Sequence, residues 1–217
     1  PLTLEKPLAF EGSLVVAGKT QSVLGSQVAL GGADGYVRGY LPAGAEVFTK
    51  QFGTSGDDAA TALAVRDDGA NGMEIFTGGV ENNRGVLRRF TYSASAGFAA
   101  GATRDIGYFY NSAINAIAAD GASLYVGGEI GADRLSLGTP ARGAVAGQEG
   151  FVARLDAGLA STALDRASYL GSAQNDECRI DSIAQSWAGL SGAVPQRFAE
   201  RAMDAVRTAL IARSSQL

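Results

Sequence analysis

The stretch Ser123-Leu124-Tyr125-Val126-Gly127-Gly128 is a short apolar run that ends in a pair of glycines. Two related stretches precede it, Ser13-Leu14-Val15-Val16-Ala17-Gly18 and Met73-Glu74-Ile75-Phe76-Thr77-Gly78-Gly79. A short apolar run bounded by turn residues is typical of a buried strand. Because the run recurs in one chain, it marks an internal repeat.

Three further patterns surround this stretch in a fixed order. An alternating strand precedes it, a glycine followed by an alternating strand comes after it, and a strand ending on a glycine closes the unit. The first pattern occupies residues 8–10, 63–65, 117–119 and 183–185, the second 35–40, 85–90 and 150–155, and the third 47–53, 103–107 and 167–171. Each unit therefore spans about 55 to 65 residues and predicts four short strands.

The repeat divides the chain into two predicted parts. Residues 1–190 are expected to hold the repeat domain, with units at about 7–53, 60–107 and 114–171 and a partial fourth unit at 180–189. From Pro195 the apolar residues follow the i, i+4 spacing of an amphipathic helix, so residues 191–217 are expected to form a C-terminal helical segment. The predicted fold class is all-β, with propeller-type four-stranded blades and a short terminal helix.

Composition excludes several classes of function. The net charge is -4 and the isoelectric point is about 4.9, which argues against a nucleic-acid partner because no basic face is available to neutralise phosphates. No run approaches the roughly 20 apolar residues of a transmembrane helix. The chain has no histidine and a single cysteine, Cys178, so the commonest general base and an internal disulfide are both absent.

The strand motifs support a family resemblance. The matching stretches are Phe52-Gly53, Ala62-Leu63-Ala64-Val65, Leu124-Tyr125-Val126-Gly127-Gly128 and Gly150-Phe151-Val152-Ala153-Arg154-Leu155. Together they resemble the bacterial β-propeller repeat known as SBBP, over residues 7 to about 189. The alanine- and glycine-rich character of the units is also similar to that of flagellin-regulatory or flagellum-associated bacterial proteins. Since a closed propeller usually needs at least four blades, we expect a piece of a longer protein or a ring completed by another chain.

Acidic pairs are the first candidates for chemistry. Asp57-Asp58, Asp67-Asp68 and Asn175-Asp176-Glu177 have the oxygen ligands that calcium prefers. At the equivalent positions the repeat holds Asp, Asn or Ser, which share the ability to cap a turn but do not share charge. We therefore predict turn capping, no metal and no cofactor, while calcium binding stays open. Paired carboxylates of a glycosidase also stay open, because their pairing is spatial.

Two sets of residues are predicted to contact a protein partner. The first is Tyr108, Phe109 and Tyr110, which replace small polar residues found at the same place in the other units. The second is the apolar stripe Phe198, Val206 and Leu210 of the expected helix. The alternative for the aromatic set is packing on a neighbouring blade, and the alternative for the stripe is capping of the same chain.

These observations predict a non-catalytic binding or structural scaffold at the bacterial cell surface or on a filament or flagellum. The partner is expected to be another protein or a second copy in an assembly. A cytoplasmic location stays open. The alternative function is a carbohydrate-active propeller enzyme that uses paired carboxylates.

Overall fold

A computed structural model shows an all-β fold in the residues that it describes. It describes residues 2–10 by their backbone, and residues 13–69, 72–131, 135–137, 149–162 and 164–170. The strands are β1 (Leu2–Phe10), β2 (Ser13–Thr20), β3 (Asp34–Tyr40), β4 (Glu46–Phe52), β5 (Asp58–Asp67), β6 (Met73–Glu81), β7 (Arg84–Ser93), β8 (Gly97–Tyr108), β9 (Ala113–Asp120), β10 (Ser123–Ile130), β11 (Glu149–Asp156) and β12 (Arg166–Leu170). The described residues contain no α-helix. The predicted all-β class is thus confirmed.

The strands form three four-stranded antiparallel sheets. The first sheet has the order β1-β2-β3-β4, the second β5-β6-β7-β8, and the third β9-β10-β11-β12. Each sheet is a meander, so every strand pairs with its neighbour in the chain. Four strands per sequence unit were predicted, and each sheet has four. The three described sheets do not close into a ring.

The sheets share one pairing register, and the repeated glycines explain it. The equivalent cross-strand pairs are Gly18 with Tyr36, Gly79 with Val86, and Gly128 with Phe151. A β-bulge lies opposite these glycines in each first strand. A Cβ atom at Gly79 would lie 1.8 Å from the carbonyl oxygen of Ala59, so only glycine lets the bulged strand approach this closely.

Register also corrects one detail of the predicted repeat. Leu63 pairs with Thr77 in the second sheet, and Val16 is the residue of the first sheet that matches Thr77. Val16 pairs with Pro7, not with Leu8. The predicted alignment of Leu8 with Leu63 is therefore wrong by one residue. Apolar alternation alone fits either register, whereas hairpin pairing allows only one.

Consecutive sheets stack front to back. We call the face that carries Val15 and Val37 in the first sheet the front face, and the opposite face the back face. The front of the first sheet packs on the back of the second, where Leu63, Ile75 and Phe90 lie in the same hydrophobic cluster. Val15, Val37 and Ile75 are at most 1% exposed. This interface is a hydrophobic core shared by two sheets.

The second interface repeats the first. A Cβ atom at Gly78, on the front of the second sheet, would lie 2.6 Å from Cδ1 of Ile117 and 2.9 Å from Cγ2 of Ile114. Both isoleucines belong to β9, which lies beside β5 and β6. Phe76 and Leu87 on the same front face are fully buried. In both interfaces, the first strand of the following sheet thus covers the front face of the preceding sheet.

A cation–π contact and buried ion pairs accompany the apolar packing. Arg88 of the second sheet lies over the ring of Phe52 of the first, with 5.0 Å from its guanidinium carbon to the ring centre. Both guanidinium nitrogens that face Glu81 donate to its carboxylate, at 2.6 and 2.7 Å. Glu81 is buried, so this pair satisfies a charge that burial alone would destabilise.

Glu74 is the centre of a second ion-pair group. It is only 3% exposed and accepts hydrogen bonds from Arg66 and Arg89. Burial alone would raise the pKa of Glu74, but the hydrogen bonds from the two arginines outweigh it, and the pKa is lowered. Arg66 also donates to the carbonyl oxygen of Gly121 in the third sheet. The group therefore links the second and third sheets.

The chain divides into two compact units, Pro1–Ser168 and Tyr169–Leu217. Strands β1 to β11 belong to the first unit. The predicted partial repeat at 180–189 and the predicted helix after Pro195 lie outside the described residues. In the part of the chain that the structure describes, no helix has the length and apolar character needed to cross a membrane.

Candidate functional site at the loop end of the sheets

The connections at one end of the three sheets form a continuous surface, which we call the loop end. It comprises Tyr108, the last residue of β8, and residues 21–33, 53–57, 82–83, 109–112 and 131. The hydrogen bonds that join its segments run from Gly32 N to Gly56 O (3.0 Å), Asp58 N to Ala33 O (2.7 Å), Asn82 N to Asp58 Oδ1 (2.9 Å), Phe109 N to Asn83 O (2.7 Å) and Gly131 N to Ser112 Oγ (2.9 Å). The loop end is thus one hydrogen-bonded layer across all three sheets.

Asp58 holds the middle of this layer. Its carboxylate accepts hydrogen bonds from the backbone N–H of Thr54 at 2.5 Å and of Asn82 at 2.9 Å. It is only 2% exposed, and this burial raises its pKa, although the hydrogen bonds oppose the shift. The prediction that this acidic pair caps a turn is confirmed for Asp58.

A second buried aspartate anchors the long loop 21–33. Gln51 Nε2 donates to Asp34 Oδ2 at 2.5 Å, and the backbone N–H of Leu30 donates to the same oxygen at 2.9 Å. The side-chain oxygen of Gln51 accepts from the backbone N–H of Leu24 at 3.1 Å. Leu24 in turn packs on Tyr36 at the back of the first sheet. The loop is therefore fixed at several points.

A cleft of about 310 Å³ opens at the loop end between the first two sheets. It is lined by Lys19, Gln21, Ala33, Asp57, Asp58, Ala59 and Val80. The carboxylate of Asp58 already accepts several hydrogen bonds, so Lys19 and Asp57 are the charged groups that a small polar ligand would meet first. Among the described residues, no group of three or more acidic or sulfur side chains has the arrangement of a metal site.

The predicted aromatic set separates into surface and core residues. Tyr108 is 46% exposed and Tyr110 is 58% exposed. Phe109 is 2% exposed and meets Phe151 of the third sheet edge to face, with ring centres 6.0 Å apart. Phe109 thus packs on the next sheet, which is the alternative stated above for the aromatic set. The two tyrosines lie where a partner can reach them.

Comparison of the sheets explains the position of Phe109. In the first sheet the ring of Phe52 lies over Gly35, the first glycine of β3. The second sheet has Gly85 at this position, and the ring of Phe109 lies over it. Directly before its closing Gly107, the strand β8 has Ile106 where β4 has Phe52 before Gly53, and that missing aromatic is the sequence signal that identifies Phe109 as a packing residue.

Exposed aliphatic residues extend the surface at the loop end. They are Val23, Val28 and Leu30, all on the loop 21–33. No sequence pattern identifies them, because an isolated valine or leucine in a loop carries no periodic signal. Together with Tyr108 and Tyr110 they give the loop end an apolar character that suits a protein partner.

The other predicted contact residues cannot be placed. Phe198, Val206 and Leu210 lie outside the described residues, as do Cys178 and the acidic run at 175–177. The prediction that the apolar stripe meets a partner stays a prediction.

Three similarities to known proteins bear on function. The model of the glycosyl hydrolase 94 superfamily, catalytic domain, matches residues 160–215. The regulatory protein FlaEY of Caulobacter vibrioides is 29% identical over 220 aligned residues, which cover 86% of this chain and 22% of FlaEY. The cyclic beta-(1,2)-glucan synthase NdvB of Rhizobium meliloti is 57% identical over 47 residues, which cover 22% of this chain and 2% of NdvB.

These matches differ in how much of the chain they cover. The similarity to the regulatory protein FlaEY extends over most of the chain and agrees with the regulatory part of the predicted resemblance to flagellin-regulatory or flagellum-associated proteins. The SBBP repeat is not among the matching families. The glycosyl hydrolase match covers a quarter of the chain, and most of it lies beyond the described residues. The chain spans about a fifth of FlaEY and a small fraction of NdvB.

Proposed function

We propose that this chain is a non-catalytic binding or structural scaffold of β-propeller type, associated with a bacterial filament or flagellum or with the cell surface. The similarity to the regulatory protein FlaEY over 86% of the chain is the observation that carries the proposal. The three sheets that stack front to back support the propeller part of it, because blades of a propeller repeat in this manner.

The loop end is the proposed contact surface. Tyr108 and Tyr110 are large and exposed, and they lie beside a layer that hydrogen bonds join across three sheets. A rigid aromatic anchor loses little conformational entropy on binding, so such residues often dominate the affinity of a protein interface. The aliphatic side chains Val28 and Leu30, on the loop 21–33, add exposed apolar area to the loop end.

Cosedimentation with purified flagellar filaments tests this function. The filaments should come from the bacterium that encodes the chain, and the variant should carry Tyr108→Ser with Tyr110→Ser. The wild-type chain should pellet with the filaments, and the double variant should bind at least about ten-fold more weakly, as expected for loss of interface anchors. Leu41→Ser is the matched control, because Leu41 is also exposed but lies at the opposite end of the sheet.

Two results would contradict the proposal. If the wild-type chain stays in the supernatant, the filament is not the partner. If Leu41→Ser weakens binding as much as the tyrosine variant, the loop end is not the contact surface. Thermal unfolding of both variants should stay close to that of the wild type, because the substituted side chains are exposed.

A carbohydrate-active enzyme is the second candidate, and the match of residues 160–215 to a glycosyl hydrolase catalytic domain favours it. Within the described part of that segment Asp165 is buried, and burial raises its pKa, as does the nearby Asp156. Arg104 forms an ion pair with Asp165. Release of reducing sugar from β-glucans, abolished by Asp165→Asn with the fold retained, would support this function over the scaffold.

A further inference from the structure

Within the described residues, the front face of the third sheet carries exposed side chains at positions where the other two front faces are buried. By register the equivalent residues are Val15, Phe76 and Tyr125 in the second strand of each sheet, and Val37, Leu87 and Val152 in the third strand. The four residues of the first two sheets are at most 1% exposed, whereas Tyr125 is 39% and Val152 is 43% exposed. The third sheet thus presents the surface that its predecessors use to bind a following sheet.

A glycine comparison shows the same unfilled position. At Gly78 a Cβ atom would meet Ile117 and Ile114 of the following sheet at less than 3 Å. At the equivalent Gly127 the nearest atom outside its immediate neighbours is the carbonyl oxygen of Phe151 at 3.8 Å. The groove above Gly127 therefore has space for the side chains that the groove above Gly78 already holds.

The back of the first sheet is the matching surface at the other end of the stack. Leu14 is 40% exposed, while its equivalents Ile75 and Leu124 are fully buried against a preceding sheet. Leu4 and Pro7 of β1 occupy the register positions of Ile114 and Ile117.

Part of this back face is already covered. The loop residue Leu24 packs on Val16 and Tyr36, while Leu14 on the same face is exposed. The two interfaces inside the chain are also formed mainly by a first strand that lies over the preceding sheet. Leu14 is therefore exposed at the register position that Ile75 and Leu124 use for stacking.

We propose that a second copy of this chain docks the back of its first sheet on the front of the third sheet, in the manner of the two interfaces inside the chain. Applied twice, this head-to-tail contact gives a reciprocal dimer with six stacked sheets, within the usual four to eight blades of a propeller. The inference rests on the proposed scaffold function, because it treats the sheets as propeller blades. The partner is a second copy of this chain.

The mass of the full chain in solution tests this inference. Light scattering after size-exclusion chromatography, from about 1 to 100 µM protein, should give twice the chain mass of 22.1 kDa at the upper concentrations. Tyr125→Glu with Val152→Glu should give the single-chain mass, because carboxylates on the front face would be desolvated on docking. Leu14→Glu should do the same from the opposite face. Val28→Glu is the control, since Val28 is exposed at the loop end, and it should stay dimeric.

A mixing experiment separates the two faces. The front-face variant and the Leu14→Glu variant each keep one intact docking surface, so an equimolar mixture should form a heterodimer that neither forms alone. If a glutamate variant fails to fold by circular dichroism, Tyr125→Ser with Val152→Thr replaces it and should weaken dimerisation by at least about ten-fold.

A single-chain mass at every concentration would overturn the inference, as would a dimer that survives substitution of both faces. Neither result bears on filament binding, because that test uses Tyr108 and Tyr110 at the loop end. Conversely, a dimer that does not pellet with filaments would contradict the proposed function and leave the docking inference intact.

Discussion

Alanine substitution at the two equivalent glycines Gly78 and Gly127 measures the energy of sheet stacking. Both glycines lie in the second strand of their sheet, at the same register position, and neither has a positive φ angle that would strain an alanine. They differ in what a new methyl group would meet. At Gly78 it would meet Ile117 at 2.6 Å and Ile114 at 2.9 Å, whereas at Gly127 it would meet nothing closer than 3.8 Å.

The expected energies have opposite signs. Forcing an extra carbon into a packed core costs about 1–3 kcal/mol. Replacing glycine by alanine at a compatible site gains about 0.4–1 kcal/mol, because the unfolded chain loses conformational freedom. Gly127→Ala should therefore stabilise the fold slightly. The entropy gain is common to both variants, so Gly78→Ala should be less stable than Gly127→Ala by the packing cost of about 1–3 kcal/mol.

Urea unfolding followed by far-ultraviolet circular dichroism gives the two free energies of unfolding. Protein concentration should be kept at about 1 µM, so that association through the third sheet does not add to the stability of one variant. If the two variants differ by less than about 0.5 kcal/mol, the side chains of β9 relax around the methyl group, and the front-to-back packing described above is not a tight one.

Three further outcomes follow from the packing and the ion pairs. Phe109→Ala should lower the free energy of unfolding by about 3–5 kcal/mol in urea titrations, while Tyr110→Ala should change it by less than about 0.5 kcal/mol. Similar losses for the two variants would place Phe109 outside the core. Glu74→Gln should cost about 1.5–3 kcal/mol at pH 7, because the hydrogen bonds to the charged carboxylate are lost while Arg66 and Arg89 stay partly exposed to water. The lowered pKa of Glu74 stabilises the fold above the ordinary pKa of glutamate, and this stability is lost as the pH falls through the lower folded value. Glu74→Gln should thus flatten the loss of stability in acid, and an unchanged pH profile would contradict the assigned role.

The sequence was sufficient to predict the strands and their grouping. Apolar alternation has the period of a strand, and glycine pairs such as Gly127-Gly128 mark where a neighbouring backbone comes close. Because each strand pairs with the next one in the chain, local patterns also predicted the four-stranded units. The one-residue error at Leu8 arose because alternation identifies a face, whereas register depends on pairing.

The candidate site was harder to predict, because its members are related through space. Tyr108, Phe109 and Tyr110 are adjacent in sequence, yet the backbone turns at Asn111, which has a positive φ angle, and only Phe109 faces the neighbouring sheet. The contact of Arg88 with Phe52 joins two sheets, and no sequence pattern indicates that these two residues meet. Comparison of the equivalent repeat positions predicted that Asp58 would cap a turn but gave no sign of its burial.

The meander order of each sheet has a consequence for synthesis on the ribosome. Since β1 to β4 pair only with chain neighbours, the first sheet can complete its backbone hydrogen bonds before the second sheet has been translated. Its front face, with Val15, Val37 and Phe48, then remains uncovered until β5 and β6 emerge. Such a nascent chain would expose apolar surface until β5 and β6 have been translated. A translational pause shortly after Phe52 would therefore favour contact between neighbouring nascent chains.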